Sequence, residues 1–342
     1  MDLEILWFVL IAFFWSGYLL LEGFDFGVGM LLPFLPRDER ERSVVLETVG
    51  PVWDGNETWL VVAGAATFAA FPAWYASMFS GFYLALLLVL VLLIIRVVSF
   101  EWRDKSTDLG WRSVWLWANT IGSFGVPLIW GIGLSALLNG VPLDSNGDFS
   151  GVFWDLFRPY TLLAGVALVA MFAFHGATYL TLRTTGDLCE RARRTARRLS
   201  LVAGVLGAAF LVATVVVAVQ RNDKDVFPPI LPAALAFLAL AAAVVLAGRR
   251  SGWAFAMTGA ATVLAVATLF TSLYPRVMVS DPDFGHSLTV SGAASAHYTL
   301  AVMTVVALTV TPLILLYQGW TYHVFRQRVG GEHAEPQPGL GD

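Results

Sequence analysis

Four carboxylates stand where a bilayer would otherwise demand apolar side chains. Glu22 and Asp25 lie inside the first long apolar run, in Leu21-Glu22-Gly23-Phe24-Asp25-Phe26-Gly27, and Asp54 and Glu57 open the second, in Val52-Trp53-Asp54-Gly55-Asn56-Glu57-Thr58-Trp59. A charged side chain in a membrane span is costly, so it marks a functional site by default. The chemistry open to such groups is proton uptake and release. Each pair has the spacing i,i+3, which puts both of its members on one helix face. Arg96, in the third apolar run, is the one cation placed to join them.

The elements that must hold these residues are membrane helices. Hydrophobic residues make up 57% of the 342-residue chain and charged residues 13%, against about 25% charged in soluble domains. Nine apolar segments are long enough, or nearly so, to cross about 30 Å of hydrocarbon. They cover 4–34, 51–71, 76–100, 113–139, 158–183, 199–219, 229–247, 253–273 and 296–325. Helices are required because open strands would leave backbone groups unsatisfied in lipid. The expected fold is all-α: one polytopic domain over 1–328, arranged as two four-helix bundles (halves 1–140 and 158–273) plus a final helix, with a disordered tail over 329–342. The connections at 140–157 and 274–295 read as solvated caps.

Lysine and arginine set the orientation. Sixteen of the 21 basic residues fall in segments on one side, Arg96 lies close to that side, and only Arg158, Arg221, Lys224 and Arg276 fall on the other. The positive-inside rule therefore puts the N-terminus outside and the C-terminus in the cytoplasm. At 1.5 Å per residue, Glu22 and Asp25 lie roughly 27 and 31 Å from the outer end of the first helix. Asp54 and Glu57 lie in the first two turns of the second helix, which starts from the inside. Four acids and Arg96 thus share one depth near the inner face. Simpler roles compete: acids at a helix start suit the macrodipole, and Arg96 can snorkel to inner headgroups. Glu22 and Asp25 escape the first explanation. They sit among Gly23, Gly27 and Gly29, a small-residue face that admits another helix closely.

Other chemistries find little support. The lone Cys189 excludes an intramolecular disulfide and a multi-thiolate metal site. Of the five histidines, only His175 is well inside a span; His297 and His323 lie near opposite ends of the last span, and His286 and His333 lie in loops. That is a poor inventory for axial haem ligation. Asn119, Gly122 and Ser123 read as helix-packing residues, and no nucleic-acid partner is expected.

Five segments carry a family resemblance. They are Glu-Gly-Phe-Asp-Phe-Gly-Val-Gly-Met at 22–30, Trp-Asp-Gly-Asn-Glu-Thr-Trp-Leu at 53–60, and Phe-Ser-Gly-Phe-Tyr-Leu-Ala-Leu at 79–86 followed by Arg96. The last two are Gly-Ala-Thr-Tyr-Leu at 176–180 with Arg183-Thr184, and Leu-Leu-Tyr-Gln-Gly-Trp at 315–320. On these residues the chain resembles subunit II of the bd-type quinol oxidases of bacterial respiration, with a connection between spans six and seven that is short for the family. The resemblance implies a heterodimer with a homologous subunit I that bears two b-type haems, one d-type haem and the quinol-oxidising site, and O₂ reduced to water with protons from the cytoplasm. It further implies a very small third subunit, a structural quinone or lipids on this chain, and a cytoplasmic proton path through the aspartate of Trp-Asp-Gly-Asn, here Asp54. The readings that compete with it are a proton-coupled transporter, against which the confinement of the acids to the first half counts, and a stand-alone b-type cytochrome.

Overall fold

The computed structural model describes residues 2–330. The helices are α1 (Leu3–Leu31), α2 (Glu39–Val49), α3 (Trp53–Ala70), α4 (Pro72–Gly81), α5 (Tyr83–Trp102), α6 (Leu109–Asn139), α7 (Pro159–Arg183), α8 (Gly186–Arg221), α9 (Ile230–Leu246), α10 (Ser251–Leu273), α11 (Val290–Ala293) and α12 (His297–Val324). Seven of them are long and apolar enough to cross a membrane: α1, α5 with the turn that follows it, α6, α7, α8, α10 and α12. The apolar α9 has 17 residues, and α3 is diluted by Asp54, Asn56 and Glu57.

α1 is the hub, packed against α3, α6, α7, α10 and α12. Its glycines make that possible. A Cβ on Gly27 would lie 2.0 Å from the Phe172 carbonyl oxygen and 2.7 Å from the Gly176 nitrogen, so the backbones of α1 and α7 touch. A Cβ on Gly29 would meet the Ser123 hydroxyl of α6 at 2.0 Å. Small residues thus replace side-chain interdigitation with direct backbone approach. α12 is peripheral: Leu300 is its one buried residue.

Three expectations need correction. The third apolar segment is not one helix from 76. Pro72 ends α3, since the residue before a proline is driven out of the helical region, and α4 is a separate ten-residue helix that breaks from α5 at Phe82. The sixth begins at Gly186 rather than 199. Its Arg- and Ala-rich start is a strong helix former that hydropathy cannot register as span, so Arg191 and Arg197 project from a helix and bond the Leu35 and Gly248 carbonyls at 3.1 and 2.9 Å.

The third correction concerns the two large connections, which are not simply solvated. Val141, Leu143, Val277, Met278 and Val279 are buried. The two loops join through Val141 N–H to the Val279 carbonyl (3.1 Å) and Asp281 N–H to the Val141 carbonyl (3.0 Å). One of them carries a small antiparallel pair, β1 (Arg276–Met278) with β2 (Leu288–Thr289), the departure from an all-helical chain. Ser77 of α4 donates to the Gly147 carbonyl at 2.6 Å, fixing α4 to this cap. At the opposite, arginine-rich end, Val329 N–H donates to the Arg183 carbonyl at 2.7 Å. The rest of the expected tail, 331–342, lies outside the described residues, as does His333.

Candidate functional site

The acids of α1 end in a sealed polar seam. Glu22 and Arg96 are fully buried and form an ion pair at 3.1 Å (Oε2 to Nη1). Arg96 does not snorkel; its guanidinium carbon lies 4.5 Å from the Phe26 ring centroid and 5.5 Å from that of Phe100. The position is set by close packing, because a Cβ on Gly122 of α6 would lie 2.9 Å from the Arg96 Cβ. Removing two charges from water is expensive and is offset only by mutual attraction in good geometry. Tyr18 O–H lies fully buried on the same helix, one turn before Glu22.

Asp25 takes a different partner. Asn56 of α3 donates its amide N–H to Asp25 Oδ2 at 2.7 Å. The Asn56 oxygen accepts from Tyr322 O–H at 2.7 Å and from the Gln318 amide at 3.1 Å, and Gln318 in turn accepts from the Trp59 indole N–H at 2.8 Å. One asparagine therefore ties α1, α3 and α12 together. Sequence reasoning missed Asn56, Tyr322 and Tyr18 as site residues. The signals were present in the Trp-Asp-Gly-Asn and Tyr-Gln-Gly-Trp segments, which contain Asn56 and Gln318, but uncharged polar residues do not stand out against a membrane helix as acids do.

A second polar thread runs from Arg96 toward α6. Ser99 O–H donates to the Arg96 carbonyl at 2.5 Å, Asn119 donates to Ser99 Oγ at 2.9 Å, and Ser123 donates to Asn119 Oδ1 at 3.3 Å. Asn119 and Ser123 are packing residues, as their types suggested, and they pack against the Gly29 gap.

Asp54 stands apart from both threads. It occupies the first turn of α3, and its side chain is exposed in this chain, two residues from the inward-facing Asn56. Glu57, one turn further along, is half-buried. Glu22, Asp25 and Arg96 are thus gathered in the interior, Glu57 sits at its margin, and Asp54 points away from it. Chemically, the interior set is a buried charge cluster: Glu22 pairs with Arg96, and Asp25 accepts from Asn56. Asp54 is an accessible carboxylate at the start of α3.

The chain matches the family model described as cytochrome bd terminal oxidase subunit II over residues 3–325. It is 40% identical to "Cytochrome bd ubiquinol oxidase subunit 2" of Bacillus subtilis (strain 168), with 98% of each chain covered. To "Cytochrome bd-I ubiquinol oxidase subunit 2" of Escherichia coli (strain K12) it is 36% identical, with 97% of each covered. Its fold matches a chain of the bd oxidase from Geobacillus thermodenitrificans with a TM-score of 0.78 at 18% identity, over 95% of this chain and 99% of that one.

Proposed function

Because the chain belongs to the cytochrome bd terminal oxidase subunit II family, we propose that Asp54 passes cytoplasmic protons across its surface to the haem-bearing subunit I for the reduction of O₂ to water. The complex is a quinol:O₂ oxidoreductase of bacterial respiration, seated in the cell membrane, and subunit II implies a subunit I beside it. The proton-coupled transporter reading gains nothing from these matches.

One observation carries the assignment: Asp54 is exposed on α3 while its neighbour Asn56 is committed inward to Asp25. A relay to a partner chain needs a carboxylate at the surface, and Asp54 is exposed where Glu22 and Asp25 are sealed. Glu22, Asp25, Glu57 and Arg96 then act as the charge network that fixes the α1–α3 and α1–α5 contacts behind the relay. Oxygen consumption by an assembled Asp54→Asn oxidase tests this.

Among the described residues, no histidine offers a buried ring nitrogen free for a haem. Both nitrogens of the buried His175 have partners: Nδ1 lies 2.6 Å from Thr258 Oγ1 and Nε2 3.3 Å from the Leu20 carbonyl oxygen, with the ring stacked on Phe255 at 4.5 Å. His286 bonds the Leu143 carbonyl, and His297 and His323 are exposed. This supports placing the b- and d-type haems in subunit I. A structural quinone or lipid fits better: an apolar groove of about 630 Å³ between α1, α3, α4, α5 and α6 is lined by aromatic rings, among them Trp15, Tyr75 and Trp130, whose buried indole N–H has no protein acceptor. α3 and α9 complete nine spans, with the N-terminus outside and the arginine-rich end in the cytoplasm. A small third subunit and membrane lipids cover the apolar faces of α5 and α12.

A further inference from the structure

A cavity of about 90 Å³ lies where α1, α6, α7, α8, α9 and α10 meet. Each helix contributes a buried apolar side chain: Leu19, Leu134, Ala164, Leu211, Ala236 and Ala261. The space exists because the backbones of α6 and α7 touch beside it. A Cβ on Gly131 would lie 2.6 Å from the Gly165 Cα. With the helices in contact there, the short alanine side chains leave the adjoining volume unfilled. Such a void weakens a fold in proportion to its volume.

The lining offers water almost nothing. Its polar side chains are Ser135 and Thr262, and each already donates its proton within its own helix, to the Gly131 carbonyl at 2.7 Å and the Thr258 carbonyl at 3.1 Å. A buried water needs two to four polar partners, and apolar cavities without them stay dry and take up apolar atoms or molecules such as xenon. The volume decides which. It is several times the roughly 10–15 Å³ that one water requires and smaller than the cavity of about 150 Å³ that accepts benzene. A monatomic or diatomic gas fits this space.

We infer that this cavity is a binding site for one small apolar gas molecule, which in the working oxidase is O₂. Oxygen partitions into the bilayer core, and the site lies among apolar helices of a subunit of the enzyme that consumes it. The naming of O₂ rests on the oxidase function, whereas the gas site itself rests on volume and lining alone.

The test is the structure of the assembled oxidase under pressurised xenon and, separately, under pressurised O₂. A single xenon peak is expected between Ala261, Ala236 and Leu134. Ala261→Leu, which fills the space from α10, should lower its occupancy at least tenfold with the haem spectrum unchanged. Ala236→Leu fills it from α9 and serves if the first variant fails to assemble. Ordered water in the cavity, an acyl or isoprenoid chain occupying it, or xenon occupancy unchanged by filling would overturn the site. Xenon bound with no density under O₂ would overturn the assignment to O₂ and leave the gas site standing.

Discussion

Glu22 of α1 and Arg96 of α5 face each other at 3.1 Å with neither side chain exposed. No other ion pair among the described residues has both side chains fully buried, and the buried Asp25 lies one turn from Glu22 on α1. Arg96→Gln should therefore leave buried carboxylate charge uncompensated. A loss of about 3–5 kcal/mol is expected for breaking such a pair, visible as a lower thermal midpoint and poor recovery of the purified complex. Glu22→Gln combined with Arg96→Gln should recover part of that loss, because both charges leave together. A single Arg96→Gln variant as stable as wild type would contradict the role given to the pair.

Asn56 holds three helices through one side chain. Asn56→Ala strands Asp25, Tyr322 and Gln318 at once. Each buried polar group left without its partner costs about 1–3 kcal/mol, so the complex should unfold at a clearly lower temperature. Asn56→Asp should be worse, since it sets a second carboxylate beside Asp25. An unchanged midpoint for Asn56→Ala would show that these contacts do not form in the assembled enzyme.

The acids were legible in the sequence because a charge in an apolar run has few innocent explanations. Their partners were not. Spacing could place Glu22 and Asp25 on one face, but only long-range packing gives Glu22 to Arg96 and Asp25 to Asn56, 31 residues away. The same holds for Asp54 and Asn56: two residues apart, they face opposite ways, and hydropathy does not register rotation about a helix axis. The helix boundaries were legible to within a few residues wherever apolar character ends with the helix. The exceptions were α8, whose arginine-rich start is helical without being apolar, and the α4–α5 break at Phe82. The paired cap of 141–143 and 277–281 was hidden too, because its burial comes from two loops far apart in the chain.

Gly27→Ala should prevent the α1–α7 crossing, since its Cβ would overlap the Phe172 carbonyl. Loss of the assembled complex from membranes is the expected result. Gly252→Ala, at an open position with nothing within 4 Å, should be tolerated and serves as the control. Equal yields of the two variants would refute direct backbone contact at Gly27.

His175→Ala should lower stability through the lost contacts to Thr258 and Leu20, with haem content per complex unchanged. A reduced-minus-oxidised spectrum, normalised to protein, measures this. Loss of one haem from an otherwise intact complex would place an axial ligand in this chain.

The central claim is that Asp54 relays protons. Asp54→Asn keeps the shape and removes the titratable group, so the haem spectrum and assembly should be preserved while turnover falls by at least tenfold. Glu57→Gln should do less, because a carboxylate near a helix N-terminus already has an electrostatic reason to be there. The deciding measurement is oxygen consumption with excess quinol, normalised to haem d, for the assembled Asp54→Asn oxidase. A large loss of rate with all haems in place is the predicted result; wild-type turnover would reduce Asp54 to a helix-start residue and contradict the relay.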